Sequence, residues 1–354
     1  MKRFSIILII SLMVILLCLA SFSNAAEKVY KWRAVTHQLV GTARYENTVV
    51  PFCEMVEKAS NGRLIIEPYG AGVLFPVFDT LDAVRDGVVQ MAMLFSGYWA
   101  GKDPVFALAG SRPGDPILSF SENYYRAEKL APLLSKVYAK YGVTSLGSFD
   151  LASPEILMSR VPIRSLEDFK GKNIRTAGLG ASFYPLLGAS AVSLSGPEIY
   201  TALQLGTVDA AEYNDWLVNK ELGFHEVTKY VIEPCFHTGA TDDKELIVNP
   251  AAWNSLPEDL QNIVLACRDM ARYLSALAYD VESSKAKTSW EEDFGVEIIQ
   301  LPEEDIKKAR SLAAELIVDF GKKSPEAEEY VKIYAEVLND LGYIDIAESL
   351  GYDK

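Results

Sequence analysis

Histidine and cysteine are scarce in this 354-residue chain, at three and four respectively. That leaves too little imidazole and thiolate for a metalloenzyme of the usual kind. No Cys-x-x-Cys pair, His-Glu-x-x-His helix, Gly-x-Ser-x-Gly elbow or phosphate-binding Gly-rich loop occurs. His37, His225 and His237 have no carboxylate at a revealing offset, so no nucleophile–base set is legible. Positive charge is also short, with 34 Lys+Arg against 48 Asp+Glu and a net charge of −14. Such a surface repels phosphate backbones and speaks against nucleic acid as a partner. An anionic ligand is repelled at long range as well, so its site needs a local cation and exclusion of water. Repeats and low-complexity segments are missing too. At 49% hydrophobic and 23% charged, the chain is neither disordered nor a multi-span membrane protein.

What is present begins with a targeting signal. Met1-Lys2-Arg3 is basic, Phe4 to Ala20 is almost wholly apolar, and Ser23-Asn24-Ala25 supplies small residues where a signal peptidase reads. The apolar run is slightly short for a membrane span of roughly 20 residues. Residues 1–25 therefore read as a cleaved signal peptide, with an uncleaved anchor as the alternative, and the mature protein as exported, acidic and soluble. Leu17 before Cys18 disfavours lipid attachment. Export permits disulfides, but Cys53, Cys235 and Cys267 are odd in number and widely spaced. Cys53 and Cys267 fall on apolar helical stripes, where buried thiols are expected. A pairing of Cys235 with either stays open.

Strand and helix patterns then alternate, as in an α/β protein. Val29–Thr36, Arg63–Tyr69 and Val88–Phe95 read as strands, with helices over Tyr45–Val56 and Phe78–Asp86 between them. Gly and Pro density over 97–120 predicts a surface loop near a cleft. A helix over Ser121–Tyr141 and a strand over Thr144–Phe149 follow. A second series has strands at Ile156–Ser159, Asn173–Thr176, Val208–Tyr213, Tyr230–Phe236 and Glu245–Asn249. Ser165 to Asp168 opens a short helix, and Ser195-Gly-Pro-Glu198 has capping-box spacing before a helix stopped by Gly206. Ser255-Leu-Pro-Glu258 has the same spacing. It precedes an apolar stripe from Leu260 through Val264, Cys267 and Leu274 to about Trp290. This helix is expected to run on the order of 50 Å, enough to touch two lobes. A strand over Val296–Leu301 and two amphipathic helices close the chain.

Two stretches carry candidate chemistry. Gly171-Lys-Asn-Ile-Arg175-Thr-Ala-Gly178 puts an arginine at the end of a short buried strand, and strand carboxyl ends face the ligand crevice in open α/β sheets. A guanidinium there holds a carboxylate through two parallel hydrogen bonds; a surface arginine paired with a nearby acid is the alternative. Val208-Asp-Ala-Ala-Glu212-Tyr213-Asn214 ends a strand in a carboxylate, an aromatic and an amide. Oxygens from Glu212, a backbone carbonyl and Glu245 suit a hard cation such as Na⁺ or Ca²⁺, and a solvated strand end is the plain alternative. Ser96-Gly-Tyr98-Trp99 ends the third strand with aromatics that either wall a cleft or cap a core. Gly178-Leu-Gly180 is too short for a dinucleotide site and reads as a turn.

At these residues the sequence resembles the solute-binding subunits of TRAP transporters, the DctP family. The resemblance rests on Gly62-Arg63-Leu64, on 81–87 (Leu-Asp-Ala-Val-Arg-Asp-Gly), on 166–175 (Leu-Glu-Asp-Phe-Lys-Gly-Lys-Asn-Ile-Arg) and on 199–212, from Ile199 to Glu212. These appear in the family's order, and the similarity covers nearly all of the mature chain. Gly97 to Lys102 and Leu222 to His225 look closest to the subfamily that binds 2-oxo acids and lactate. The resemblance implies an α/β, two-lobed periplasmic solute-binding fold with a central cleft and a long helix spanning both lobes. Lobe 1 is expected from 26–150 and 239–285, and lobe 2 from 151–238 and 286–354.

It further implies that Arg175 pairs with the solute carboxylate, and that Tyr98, Tyr213 and Phe236 wall the site. In that subfamily a cation bridges solute and protein, which carries over to Glu212, the Tyr213 carbonyl and Glu245. A Gln the subfamily uses near the first crossing is absent here, and Glu155 stands in that region. No other cofactor is implied. The implied partners are a small organic anion and the small and large permease subunits, with the chain a monomer or homodimer and not an enzyme. An exported enzyme using Glu212 or Glu155 as general base, or a sensory module, are the alternatives.

Overall fold

The computed structural model describes residues 28–150, 154–236 and 244–353. The signal-peptide reading and His237 lie outside these residues. Among the described residues no helix is long and apolar enough to cross a membrane.

Among the described residues eleven strands form two sheets. In chain order they are β1 (Tyr30–Thr36), β2 (Leu64–Tyr69), β3 (Met91–Phe95), β4 (Thr144–Asp150), β5 (Ile156–Ser159), β6 (Asn173–Arg175), β7 (Ser190–Val192), β8 (Ala210–Tyr213), β9 (Tyr230–Glu233), β10 (Lys244–Val248) and β11 (Glu297–Gln300). The first sheet has the order β2-β1-β3-β10-β4 and the second β11-β9-β5-β8-β6-β7. The chain leaves the first sheet after β4 and returns to it at β10, and β10 runs antiparallel to both its neighbours. The two-lobed α/β architecture expected from the sequence is present.

Local signals placed several elements. The capping boxes at Ser195 and Ser165 both form. Gly206 ends its helix in the left-handed region, at φ 74°, where a Cβ would be strained. The long helix runs Glu258–Glu292 over 35 residues. Its first half buries Leu260, Val264, Cys267 and Ala271 in the core beneath the first sheet, and its second half buries Ala286 and Trp290 in the core of the second. It therefore ties both lobes, as expected. Its N-cap is Pro257 rather than Ser255. Ser255 instead closes a separate short helix, Pro250–Ser255, and its hydroxyl donates to the Ala252 carbonyl at 2.7 Å.

Two further expectations are corrected. The stretch 97–120 is not simply a surface loop, because Pro104–Gly110 is a helix whose every residue except Pro104 is buried. Asp103 caps it by accepting from the Val105 amide at 2.8 Å, and Pro104 occupies the first turn, where its missing N–H costs nothing. The terminal helices Pro325–Asp340 and Ile344–Ser349 were expected in lobe 2. Their apolar residues, among them Tyr330, Tyr334, Leu338 and Ala347, are buried with Phe106, Leu130 and Leu134 of the first lobe. An amphipathic stripe needs an apolar partner, and the periodicity does not say which lobe supplies it.

Candidate functional site

The two sheets present strand ends to one another, and the site lies between those ends. Arg175 is the last residue of β6 and Tyr213 the last of β8, while Glu155 immediately precedes β5. From the first sheet come His37 just after β1, Phe95 at the end of β3, Tyr98 just beyond it, and Lys244 at the start of β10. Together with Asn214 these eight residues line one narrow cavity between the sheets.

Arg175 is 3% exposed. Its Nε and Nη2 donate to the Leu194 carbonyl at 3.0 and 2.9 Å, and Nη1 donates to the Glu212 carbonyl. The guanidinium carbon lies 5.3 Å from the centroid of the Tyr213 ring. Backbone carbonyls thus orient the group without neutralising it, and its charge still lowers the Glu198 carboxyl, after the larger effect of hydrogen bonds from Ser195. The alternative of a surface arginine locked to an acid does not describe it.

Tyr213 is buried, and burial first, then the nearby Tyr98, pushes its phenol upward, with Arg175 opposing. Asn214 lies close enough to the Tyr213 phenol to act against that shift, yet among the described residues the Tyr213 hydroxyl and Asn214 Oδ1 find no partner of good hydrogen-bond geometry. Buried polar atoms are nearly always satisfied, so two orphans on one cavity wall point to a guest that supplies the missing bonds. Tyr98 is held edge-on by Phe95 and Phe78, at 5.2 and 5.0 Å between centroids. Gly97 permits the close approach of the lobes here, since a Cβ on it would lie 3.2 Å from the Gly178 Cα. Gly178, read as a turn, has φ +59° and itself abuts Ser111.

The structure does not gather the remaining expected residues into this cavity. Phe236 packs on Phe183 at 5.8 Å within the second lobe's core. Glu212 is fully buried on the opposite face of β8 from Tyr213, as strand alternation requires. Its Oε2 accepts from the Thr176 hydroxyl at 2.7 Å, and its Oε1 from the Tyr184 hydroxyl. Glu245 lies within the first sheet and accepts from the Ser145 hydroxyl at 2.6 Å. The Tyr213 carbonyl accepts from Asn219 at 2.7 Å.

Glu212, the Tyr213 carbonyl and Glu245 thus engage different protein partners: Thr176 and Tyr184, Asn219, and Ser145 respectively. Among the described residues no group of three or more His, Cys, Asp or Glu stands ready to hold a metal. Cys53, Cys235 and Cys267 are free thiols, and burial pushes the first and last of them upward. Sequence reasoning passed over His37, Phe95 and Lys244. The strand ends Phe95 and Lys244 are adjacent across β3 and β10, a register no local pattern encodes.

Two α/β lobes closing on a small, cationic, partly unsatisfied cavity define a solute receptor. The chain belongs to the bacterial extracellular solute-binding protein family 7, DctP, whose model matches residues 37–323. It is 28% identical to the monocarboxylate 2-oxoacid-binding periplasmic protein all3028 of a Nostoc species, over 90% of this chain and 89% of that one. Among solved structures it resembles a TRAP periplasmic solute-binding protein from Pseudoalteromonas atlantica with bound sodium and pyruvate. That match has 25% identity and a TM-score of 0.80, covering 92% of this chain and all of the other. A relative from Colwellia psychrerythraea with bound calcium and pyruvate matches at 26% identity and a TM-score of 0.79, over 90% and 99% of the two chains.

Proposed function

We propose that the mature protein is a periplasmic receptor that captures a small organic acid, of the 2-oxo or 2-hydroxy class, and delivers it to TRAP permease subunits for uptake. The observation that carries this reading is Arg175, a buried guanidinium in the interlobe cavity that is oriented by carbonyls and, among the described residues, paired with no carboxylate. A solute carboxylate supplies the missing countercharge through parallel N–H···O bonds. Tyr213 and Asn214 offer it further polar contacts. The 2-oxoacid named for the Nostoc relative and the pyruvate held by the two solved relatives support the same class. Capture without turnover is favoured because Glu212, one of the two bases an enzyme would use, is fully buried behind β8.

Opening and closing of the lobes follows as a population shift, with the solute favouring the closed form by its extra contacts there. Isothermal titration calorimetry with pyruvate, L-lactate and 2-oxobutyrate tests the reading. Binding is expected for at least one acid. Arg175→Met is expected to weaken it by about 30-fold or more, the usual result of removing one partner from a buried charge pair. An affinity that survives the substitution removes Arg175 from its assigned role.

A further inference from the structure

Asn219 does not line the cavity, yet its side chain holds two residues that do. It sits on the helix Trp216–Glu221 and is fully buried. Its Nδ2 donates to the Tyr213 carbonyl at 2.7 Å and to the Asn214 carbonyl at 3.0 Å. Both amide protons are thereby spent on the backbone that carries the cavity's polar wall. Tyr213 ends β8 and Asn214 lies past it, where the Ile156 amide, at 3.1 Å, shares the second carbonyl with Asn219. The helix is itself anchored at its start: Asp215 accepts from the Val218 amide at 3.0 Å and pairs with Arg44 of the first lobe.

Packing alone does not call for an amide at this position. Leucine has a similar volume and no polar atoms, whereas a buried amide costs free energy for every bond left unmade. Among the described residues Asn219 Oδ1 finds no partner of good hydrogen-bond geometry. The fold accepts that cost and keeps the two donated bonds, and such exceptions gather at functional sites. We infer that Asn219 is a positioning residue of the solute site: by holding both carbonyls it fixes the turn after β8, and with it the aim of the Tyr213 hydroxyl and the Asn214 amide at the bound acid. The inference rests on the organic-acid reading above.

The test is calorimetric titration of the mature protein with pyruvate, L-lactate and 2-oxobutyrate, in buffer containing both NaCl and CaCl₂. Asn219→Leu is expected to weaken binding of the acid that binds by about tenfold. A residue that acts through its neighbours also makes their losses non-additive. Tyr213→Phe is expected to weaken binding about fivefold to tenfold in the wild type, but by less than about twofold in the Asn219→Leu variant, whose phenol is already misaimed. Thr228→Val serves as the control. The buried Thr228 hydroxyl donates to the Phe224 carbonyl at 2.8 Å, and neither residue lines the cavity. Its loss is expected to lower the melting temperature in circular dichroism and to leave affinity within about twofold.

A folded Asn219→Leu variant that binds as the wild type does overturns the inference while leaving the organic-acid reading intact. So does a double variant whose losses simply multiply. A Thr228→Val variant that weakens binding as much as Asn219→Leu also overturns it, since the effect then belongs to the stability of the lobe. Should Asn219→Leu fail to fold, Asn219→Ser takes its place in each comparison, its hydroxyl being too short to bridge both carbonyls. Failure of the folded wild type to bind any of these acids sinks the organic-acid reading itself and this inference with it.

Discussion

Arg44 and Arg175 are both buried arginines near the interlobe boundary, and their surroundings treat the charge in opposite ways. Arg44 is fully buried and forms an ion pair with Asp150 at 3.0 Å and a second with Asp215, while its guanidinium carbon lies 3.6 Å from the Tyr279 ring centroid. Burial works against its charge, yet the two carboxylates hold its pKa above the ordinary value. Asp215 also caps the helix Trp216–Glu221 through the Val218 amide at 3.0 Å. Arg44 thus joins the two lobes as a finished structural element. Arg175 has carbonyls where Arg44 has carboxylates. The difference teaches that burial alone does not set an arginine's role; on the proposed reading it is the outstanding countercharge that makes Arg175 a binding group.

The comparison breaks most readily at Arg44. Arg44→Met leaves Asp150 and Asp215 buried without their cation and is expected to cost about 3–5 kcal/mol in urea denaturation. The same change at Arg175 is expected to alter unliganded stability by less than about 1.5 kcal/mol, because only neutral acceptors lose a donor. Equal losses at the two positions would erase the distinction.

Smaller effects sharpen it. Tyr213→Phe removes an orphaned hydroxyl, so the unliganded protein is expected to hold or gain up to about 1 kcal/mol. Solute affinity is expected to fall about fivefold to tenfold in calorimetry; an unchanged affinity places the hydroxyl outside the contact. The smallest effect belongs to the exposed pair of Arg63 and Asp259, 2.7 Å apart at its Nη1 contact with side-chain exposures of 22% and 56%. Arg63→Met is expected to cost under about 1 kcal/mol, and less at high salt, because solvent screens such pairs.

Much of the fold was legible because its signals are local. The boxes at Ser195 and Ser165 need only residues three apart, and the long helix declares itself by periodicity over 35 residues. The box at Ser255 failed because Pro250–Ser255 claimed that residue as its own last turn. Proline density hid the helix after Asp103, although Pro after an N-cap aspartate is a helix start as much as a loop marker.

The site was half legible. Arg175 and Tyr213 end strands, and strand ends face the crevice, so pattern and topology agreed. Glu212 and Glu245 lie on strands buried along their whole length, where no alternation of polar and apolar residues reveals the phase. One position decides everything there: Lys244 reaches the cavity, and its neighbour Glu245 bonds Ser145 inside the sheet.

By itself the sequence determined the α/β class, the order of its elements and the family. Each of these rests on local pattern or on a long ordered set of motifs. Tertiary structure alone decided which lobe holds the final helices, which face of β8 and β10 meets the cavity, and which arginine keeps its charge uncompensated. These depend on register and on contacts between residues more than a hundred positions apart, as between Arg44 and Asp150 or Asp215.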